Sequence, residues 1–168
     1  VTKMSQDNPL EPQPFIATTR EEIISAAQSK YCPVPANIVL KSILEQDGRL
    51  AVVGLPCHIH GIRKAEAINK KLRDRIVLHL GIFCGSSLTF LWTEFLLWRK
   101  GIKKEEVTKL DYRSGGWPGS MAVHLRNGAT RVFPYSEAGA VGRFFYPYRF
   151  NLCCDLTAEL ADISFGDA

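Results

Sequence analysis

The sequence lacks an apolar run long enough to cross a membrane. Its longest apolar stretch, residues 88–98, is interrupted by Thr93 and Glu94 and is much shorter than the about 20 apolar residues that a spanning helix needs. The N-terminus also lacks the charged segment followed by an apolar segment that marks a secretory signal. We therefore predict a cytoplasmic protein with no integral membrane segment.

A strong excess of charge of one sign is missing as well. Lys and Arg number 21 against 17 Asp and Glu, a formal net charge of +4, and the charges are spread along the chain. The sequence has no motif that interleaves basic and aromatic residues for nucleic-acid recognition. This composition predicts no nucleic acid partner and weakly favours anionic small ligands or an acidic partner protein.

The cysteines have neither an even number nor a regular spacing. No two of them form the C-x-x-C pair of a zinc ribbon or a ferredoxin, and the five are Cys32, Cys57, Cys84, Cys153 and Cys154. An odd number in a chain without an export signal argues against a disulfide framework. Metal ligation and redox chemistry then compete with the simpler interpretation that these are small buried apolar side chains.

What the sequence does contain is an alternation of strand and helix patterns. Two continuous apolar runs, residues 50–55 and 76–83, each lead into a predicted helix, which is typical of parallel strands joined by a right-handed crossover. Residues 107–113, 120–126 and 130–133 are β-prone, and Asn127-Gly128 predicts a hairpin between the last two. We predict an α/β fold: a mixed sheet with a parallel βαβ core extended by antiparallel strands, and helices on both faces.

The remaining segments complete the prediction. Residues 1–13 predict an extended N-terminal arm, and residues 14–168 predict a single α/β domain. Because the sequence has no initiator Met and stops just after a strand-like run, we expect a piece of a longer chain. Thr19 and Glu22 form a capping-box pattern that opens a helix to about Gln28. The other expected elements are strands at 15–18 and 161–165, helices at 36–46, 57–72 and 87–100, and a helix-prone or irregular stretch at 137–148.

Two cysteines fall at matching places in the predicted parallel sheet. Cys57 and Cys84 each follow the carboxyl end of an apolar strand, and neighbouring strands are about 4.8 Å apart. Their thiols are therefore expected at one sheet edge, where open α/β sheets bind ligands. A helix N-terminus beside each cysteine favours the thiolate that binds metal. Burial of both as small apolar side chains remains the alternative.

Four motifs carry a resemblance to a known family. They are residues 54–63 (GLPCHIHGIR), 81–85 (GIFCG), 111–113 (DYR) and 155–167 (DLTAELADISFGD). Together with Ser29-Lys30-Tyr31 before two prolines, they occur in order from about Gln13 to the end of the chain. The sequence resembles the beta subunits of coenzyme F420 hydrogenases and dehydrogenases.

The resemblance implies an oxidoreductase module that carries FAD and a 4Fe-4S cluster. Such a module passes electrons between the cluster and coenzyme F420 or another acceptor, and its partners are hydrogenase or dehydrogenase subunits, or ferredoxin. The family motif C-x-x-C-x-D implies cysteines at positions 150 and 153, but position 150 is Phe150. Cys57, Cys84 and Cys153 match the implied ligands. Cys154, or failing that Cys32, is the expected substitute for the fourth.

The same resemblance suggests where a flavin would bind. Lys30 and Tyr31 precede the prolines, and Arg113 with Gly115 begins a glycine-rich turn, residues 113–119, that also holds Trp117. Backbone amides in such a turn suit a pyrophosphate or a flavin ring edge. Without the resemblance, an ordinary loop with a solvated lysine and packed aromatic rings explains these residues, since the sequence has no G-x-G-x-x-G.

Two other functions stay open at this point. One is a non-catalytic structural domain that has lost its cluster, which Phe150 motivates. The other is a zinc-binding domain, because His58 and His60 stand beside the cysteines. A Cys57 nucleophile paired with either histidine is a weaker alternative. His79 and His124 are expected to be structural, and Asp162 and Asp167 to order the terminal loop or to cap turns.

Overall fold

A computed structural model describes residues 1–116 and 118–166 of the chain. The helices are α1 Arg20–Ser25, α2 Leu40–Glu45, α3 Pro56–Ile68, α4 Lys70–Arg75, α5 Phe90–Arg99 and α6 Tyr135–Ala140. The strands are β1 Thr2–Met4, β2 Pro12–Pro14, β3 Leu50–Gly54, β4 Ile76–Ile82, β5 Val107–Ser114, β6 Ser120–Leu125, β7 Thr130–Pro134 and β8 Ile163–Phe165. Among these residues, no helix has the length and apolar content to cross a membrane.

The parallel sheet has the strand order β3-β4-β8. Gly54 pairs with Gly81, and Ile82 pairs with Phe165, so the three strands end at one edge. The connection between β3 and β4 runs through α3 and α4, and the second helix starts at Asn69, whose side chain accepts from the Leu72 N–H at 3.1 Å. The predicted βαβ unit is thus confirmed, with the single predicted helix 57–72 divided by this cap.

The segment that precedes β8, residues 155–162, lies against β4. Gly81 makes this possible, because a Cβ added there would stand 2.5 Å from the Ala158 Cβ and 2.8 Å from the Ala161 Cβ. Backbone bonds from Cys84 N to Leu156 O and from Asp162 N to His79 O, both 2.9 Å, fasten the segment. We call residues 155–166 the terminal segment.

The antiparallel strands form a sheet of their own, in the order β5-β6-β7. The α/β class with parallel and antiparallel strands is confirmed, but these strands do not extend the parallel sheet as predicted. Each sheet has its own core. The parallel half buries aliphatic residues, Ile43, Val52, Ile59, Ile62, Leu72 and Ile76. The antiparallel half buries residues that include Trp92, Leu96, Tyr112, Met121 and Phe133.

The N-terminal region departs most from the prediction. The expected extended arm of residues 1–13 contains β1 and, with Pro14, β2, which pair as a two-stranded antiparallel sheet. The strand expected at 15–18 is wrong, because those residues have no regular structure. The Thr19–Glu22 capping box is present, but α1 ends at Ser25. The helix expected at 36–46 is a 3₁₀ turn, Ala36–Val39, followed by α2.

Candidate functional site

Three cysteines from separate parts of the chain come together at the carboxyl edge of the parallel sheet. Cys57 lies in the first turn of α3 directly after β3, and Cys84 follows β4. Cys153 ends a 3₁₀ turn, Tyr148–Leu152, and leads into the terminal segment, which hydrogen-bonds to Cys84. We call Cys57, Cys84 and Cys153 the cysteine edge.

The three thiols are close enough to affect one another electrostatically. Burial is the main cause of the raised pKa of Cys84, and the charges of Cys57 and Cys153 raise it further. Burial likewise raises the pKa of Cys57, whereas the Arg149 guanidinium lowers it. Mutual repulsion of this kind is relieved when a cation or a cationic cluster binds between the thiolates.

The chemistry of this donor set fits an iron–sulfur cluster. The cysteines are free thiols, Cys57 and Cys153 are exposed and Cys84 is partly exposed. Each cluster cysteine binds a different iron atom, so its sulfurs stand farther apart than the ligands of one ion. Within residues 1–116 and 118–166, no three His, Cys, Asp or Glu side chains converge closely enough to hold a single metal ion.

The other two cysteines differ in position. Cys32 is buried in the aromatic core, where burial raises the pKa of its thiol to about 11, so it does not substitute for a ligand in this arrangement. Cys154 is exposed next to Cys153. Phe150, at the position of the implied fourth cysteine, packs its ring against Tyr146 with the centroids 4.9 Å apart.

His58 has a structural role at the start of α3. Its Nδ1 accepts from the Leu55 N–H at 3.2 Å, so Nε2 carries the proton and donates to the Val34 carbonyl at 3.1 Å. Both ring nitrogens are therefore occupied by backbone groups. This arrangement leaves His58 neither a ligand nor a base for Cys57.

His60 faces the terminal segment. Its Nε2 lies 3.3 Å from Oδ2 of Asp155. The Asp155 Oδ1 accepts from the N–H groups of Thr157 and Glu159, but its buried Oδ2 accepts no well-formed hydrogen bond in the described part of the chain. The ion-pair distance is thus met while the hydrogen-bond geometry is not.

An aromatic pocket borders the cysteine edge. It has a volume of about 80 Å³, and its lining includes Tyr31, Ser86, Trp92, Tyr112, Tyr135 and Tyr146. The Trp92 and Tyr112 rings stack with centroids 6.0 Å apart, and Tyr31 meets both edge-on. The Cys84 Sγ donates to the Ser86 carbonyl at 3.8 Å, so one short loop links the pocket to the cysteine edge.

The structure joins Tyr31 and Arg113, which the sequence predicts separately as flavin contacts. Arg113 donates from Nε and a terminal nitrogen to the Tyr31 hydroxyl at 3.1 and 2.8 Å, and its other nitrogen donates to the Pro118 carbonyl. The guanidinium also lies 4.6 Å from the centroid of the Tyr135 ring. A cation is thereby held at the mouth of the pocket.

Lys30 and Gly115 are placed differently. The Lys30 ammonium donates to the carbonyls of Ala26, Ala27 and Gln28 at the end of α1, which uses its three protons. Burial lowers the pKa of Lys30 to about 8. Gly115 is exposed in the turn after β5, with a φ of 77°. Trp117, predicted in the same turn, and Asp167, predicted as a cap, lie outside the described residues.

A buried charged network below the cysteine edge has no counterpart in the sequence-based expectations. His79, 2 % exposed, places Nε2 2.8 Å from Glu66 and Nδ1 3.0 Å from Asp162. Asp162 also accepts from the His79 N–H at 2.7 Å and from Arg63 at 2.8 Å. These bonds lower the pKa of Asp162, with the His79 N–H as the main cause. The network ties α3 and β4 to the terminal segment, as expected for a structural His79.

The bonds of Asp162 fit the first of its two expected roles, which is to order this segment rather than to cap a turn. Glu66 was not predicted, although its position three residues after Arg63 on one helix was a usable signal. The other expected structural histidine, His124, lies in β6 between Asp111 at 3.2 Å and Thr130 at 3.1 Å.

Comparison with known proteins gives a consistent family. The C-terminal part of the coenzyme F420 hydrogenase/dehydrogenase beta subunit, as a family, matches residues 47–168, and its N-terminal counterpart matches residues 1–41. The coenzyme F420 hydrogenase subunit beta of Methanothermobacter thermautotrophicus is 31% identical over 92% of this chain and 54% of its own length. The F420-dependent sulfite reductase of Methanocaldococcus jannaschii is 26% identical over 92% of this chain and 26% of its own length.

A solved structure has the same fold. It is the F420-reducing nickel–iron hydrogenase complex of Methanosarcina barkeri, in which one chain matches 99% of this chain and 57% of its own length, with a TM-score of 0.69 and 22% identity. This chain thus spans about half the length of the hydrogenase subunit and the solved chain that it matches. Because both family descriptions match in order and together cover nearly all of the sequence, the chain belongs to the coenzyme F420 hydrogenase/dehydrogenase beta subunit family.

Proposed function

We propose that this chain is an electron-transfer module with an iron–sulfur cluster at the cysteine edge and FAD at the aromatic pocket. As an oxidoreductase, it would exchange electrons with coenzyme F420 within a hydrogenase or dehydrogenase assembly, or with ferredoxin. The observation that carries the proposal is the loop from Cys84 to Ser86, whose two ends belong to the cysteine edge and to the aromatic pocket. The predicted cytoplasmic setting remains a prediction.

The cysteine edge supplies thiolate ligands from three segments. Cys57 and Cys84 are fixed by the ends of β3 and β4, and Cys153 by its bond to the Asp155 carbonyl at 3.3 Å. A bound 4Fe-4S cluster supplies one-electron redox chemistry. Arg149 beside Cys57 offsets the negative charge of the thiolates. Cys154 is the fourth ligand that the sequence suggests, and it is tested against another candidate below.

The aromatic pocket supplies apolar ring surfaces and a fixed cation for a flavin. Its volume of about 80 Å³ is below the 300 Å³ or more of typical organic-ligand pockets. A flavin ring therefore fits only if a mobile side chain moves aside, and Tyr135, which is exposed at the mouth, is placed to do so. Tyr31 and Arg113 would then contact the flavin. Gly115 would leave the adjoining turn open to a phosphate, while Lys30 would need to leave its three carbonyls.

Cofactor analysis of anaerobically prepared protein tests the proposal. We expect iron, acid-labile sulfide and heat-releasable FAD in the wild type. Cys84→Ser should lose iron and keep FAD, Arg113→Gln should lose FAD and keep iron, and Cys32→Ala, outside the cysteine edge, should keep both. A protein without iron or flavin after anaerobic reconstitution would contradict the proposal.

A structural role without a cluster is the second candidate. The observation that favours it is the Phe150 side chain, which packs against Tyr146 where the family motif has a cysteine. Under this alternative the protein would fold with the same stability whether or not iron and sulfide are supplied. Thermal unfolding with and without reconstitution separates the two, because a ligand that binds only the folded state raises Tm.

A further inference from the structure

We propose that His60 is the fourth ligand of the cluster, binding through Nδ1 while Asp155 holds its Nε2. This inference rests on the proposed function, since it concerns the same cluster. It assigns a role to the residue that stands nearest to the unsatisfied carboxylate oxygen of the terminal segment.

The helix places His60 beside a cluster ligand. Cys57 and His60 are three residues apart on α3, so their side chains lie on one face. The His60 side chain is 44% exposed and contacts the segment that carries Cys153 through Asp155. Its Nδ1 has no hydrogen-bond partner among residues 1–116 and 118–166. One nitrogen is therefore available next to two of the three thiols.

Asp155 provides the second reason. A histidine that binds a metal usually donates its other ring N–H to a carboxylate, which fixes the tautomer and the ring orientation. Asp155 is only 7% exposed, and its Oδ2 lacks a hydrogen bond although His60 Nε2 is 3.3 Å away. Binding through Nδ1 would put the ring proton on Nε2, and a small ring rotation would satisfy the buried oxygen. A buried acceptor without a partner is otherwise unfavourable.

Cys154 is less well placed for the same role. Cys153 has an extended backbone, with φ −75° and ψ 126°, and successive side chains in extended backbone point to opposite sides. With Cys153 facing the other thiols, Cys154 points away from them and is exposed. Phe150 offers no donor atom. Among these residues, His60 alone combines a free nitrogen with a position on the cysteine edge.

Pulsed EPR of the reduced, reconstituted protein tests the assignment. Protein labelled with ¹⁵N-histidine should show a strong nitrogen hyperfine coupling, which His60→Ala should lose together with one iron atom per cluster. Cys154→Ser should keep both the coupling and the iron. His124→Gln, a histidine in β6 bound to Asp111 and Thr130, is the matched control and should also keep both.

His60→Cys provides a variant that retains four ligands. It should keep the iron content, lose the nitrogen coupling and shift the cluster potential downward, because imidazole ligands raise the potential relative to thiolates. A four-iron cluster without nitrogen coupling in the wild type, or an iron loss in Cys154→Ser, would overturn the assignment and leave the proposed function standing. A protein that takes up no iron at all would overturn both.

Discussion

The two halves of the molecule bury different kinds of side chain. The parallel half has an aliphatic core, and below its sheet edge it buries the charged groups of Glu66 and His79. The antiparallel half has an aromatic core in which the rings of Trp92 and Tyr112 stack. The first arrangement fixes backbone ends and so positions thiols, whereas the second presents ring faces. One fold therefore offers a site for a metal cluster beside a site for a planar organic cofactor.

Removing one member of the buried charged network should have the largest effect on stability. Glu66→Ala leaves His79 and Arg63 without their buried partner, and breaking such an interaction costs about 3–5 kcal/mol. Urea denaturation measures the loss.

The matched control is Glu94→Ala, which removes a more exposed ion pair with Lys104. It should cost about 0–1 kcal/mol. Equal losses in the two variants would show that the network does not stabilise the parallel half more than a surface pair does.

A methyl group at Gly81 should disturb the parallel half by a smaller amount. Gly81→Ala places its Cβ against Ala158 and Ala161, and overpacking of this kind costs about 1–3 kcal/mol. It should also displace the terminal segment and weaken iron retention at Cys153. Gly139→Ala is the control, because a Cβ there meets nothing within 4 Å. Iron lost equally from both variants would contradict this link.

Loss of the Tyr31 hydroxyl should affect the antiparallel half alone. Tyr31→Phe removes the acceptor for two Arg113 bonds and keeps the ring. We expect a stability loss of about 0.5–1.5 kcal/mol, weaker retention of FAD and unchanged iron content. Fluorescence of released flavin and iron analysis check this together. A parallel loss of iron would show that the two sites are not separable.

Titration of Lys30 should have the smallest effect. Its pKa is lowered by burial from 10.5 to about 8 in the folded chain, so between these values the unfolded chain binds more protons and stability increases with pH. Lys30→Gln should remove this increase from the difference between variant and wild type. Chemical denaturation at pH 7.5, 9 and 10.5 measures it. An identical pH dependence in both proteins would contradict the lowered pKa.

The parallel half was the more predictable of the two. Continuous apolar runs specified β3 and β4, and their ends located Cys57 and Cys84 without any distant information. Local pattern also contained the Asn69 cap that divides α3 from α4. The pairing of β4 with β8 joins residues about eighty positions apart through only three residue pairs, which no local pattern encodes.

The candidate flavin site was less predictable for the same reason. Tyr31 and Arg113 are 82 positions apart, and their contact depends on how the antiparallel sheet packs beside the connector before α2. Hydrophobic period identified β5, β6 and β7 but not the separation of their sheet from the parallel one. The Glu66–His79–Asp162 network was equally hidden, because an apolar strand gives no sign of the carboxylates that will face its histidine.

The most direct test of the central account is whether electrons pass between the two halves. Reduced coenzyme F420 should be mixed anaerobically with the reconstituted protein while flavin absorbance and the cluster EPR signal are followed. The account predicts that the flavin is reduced first and that the cluster signal then appears in the wild type, but not in Arg113→Gln freed of FAD. A cluster that reduced coenzyme F420 leaves oxidised while dithionite reduces it would contradict the account.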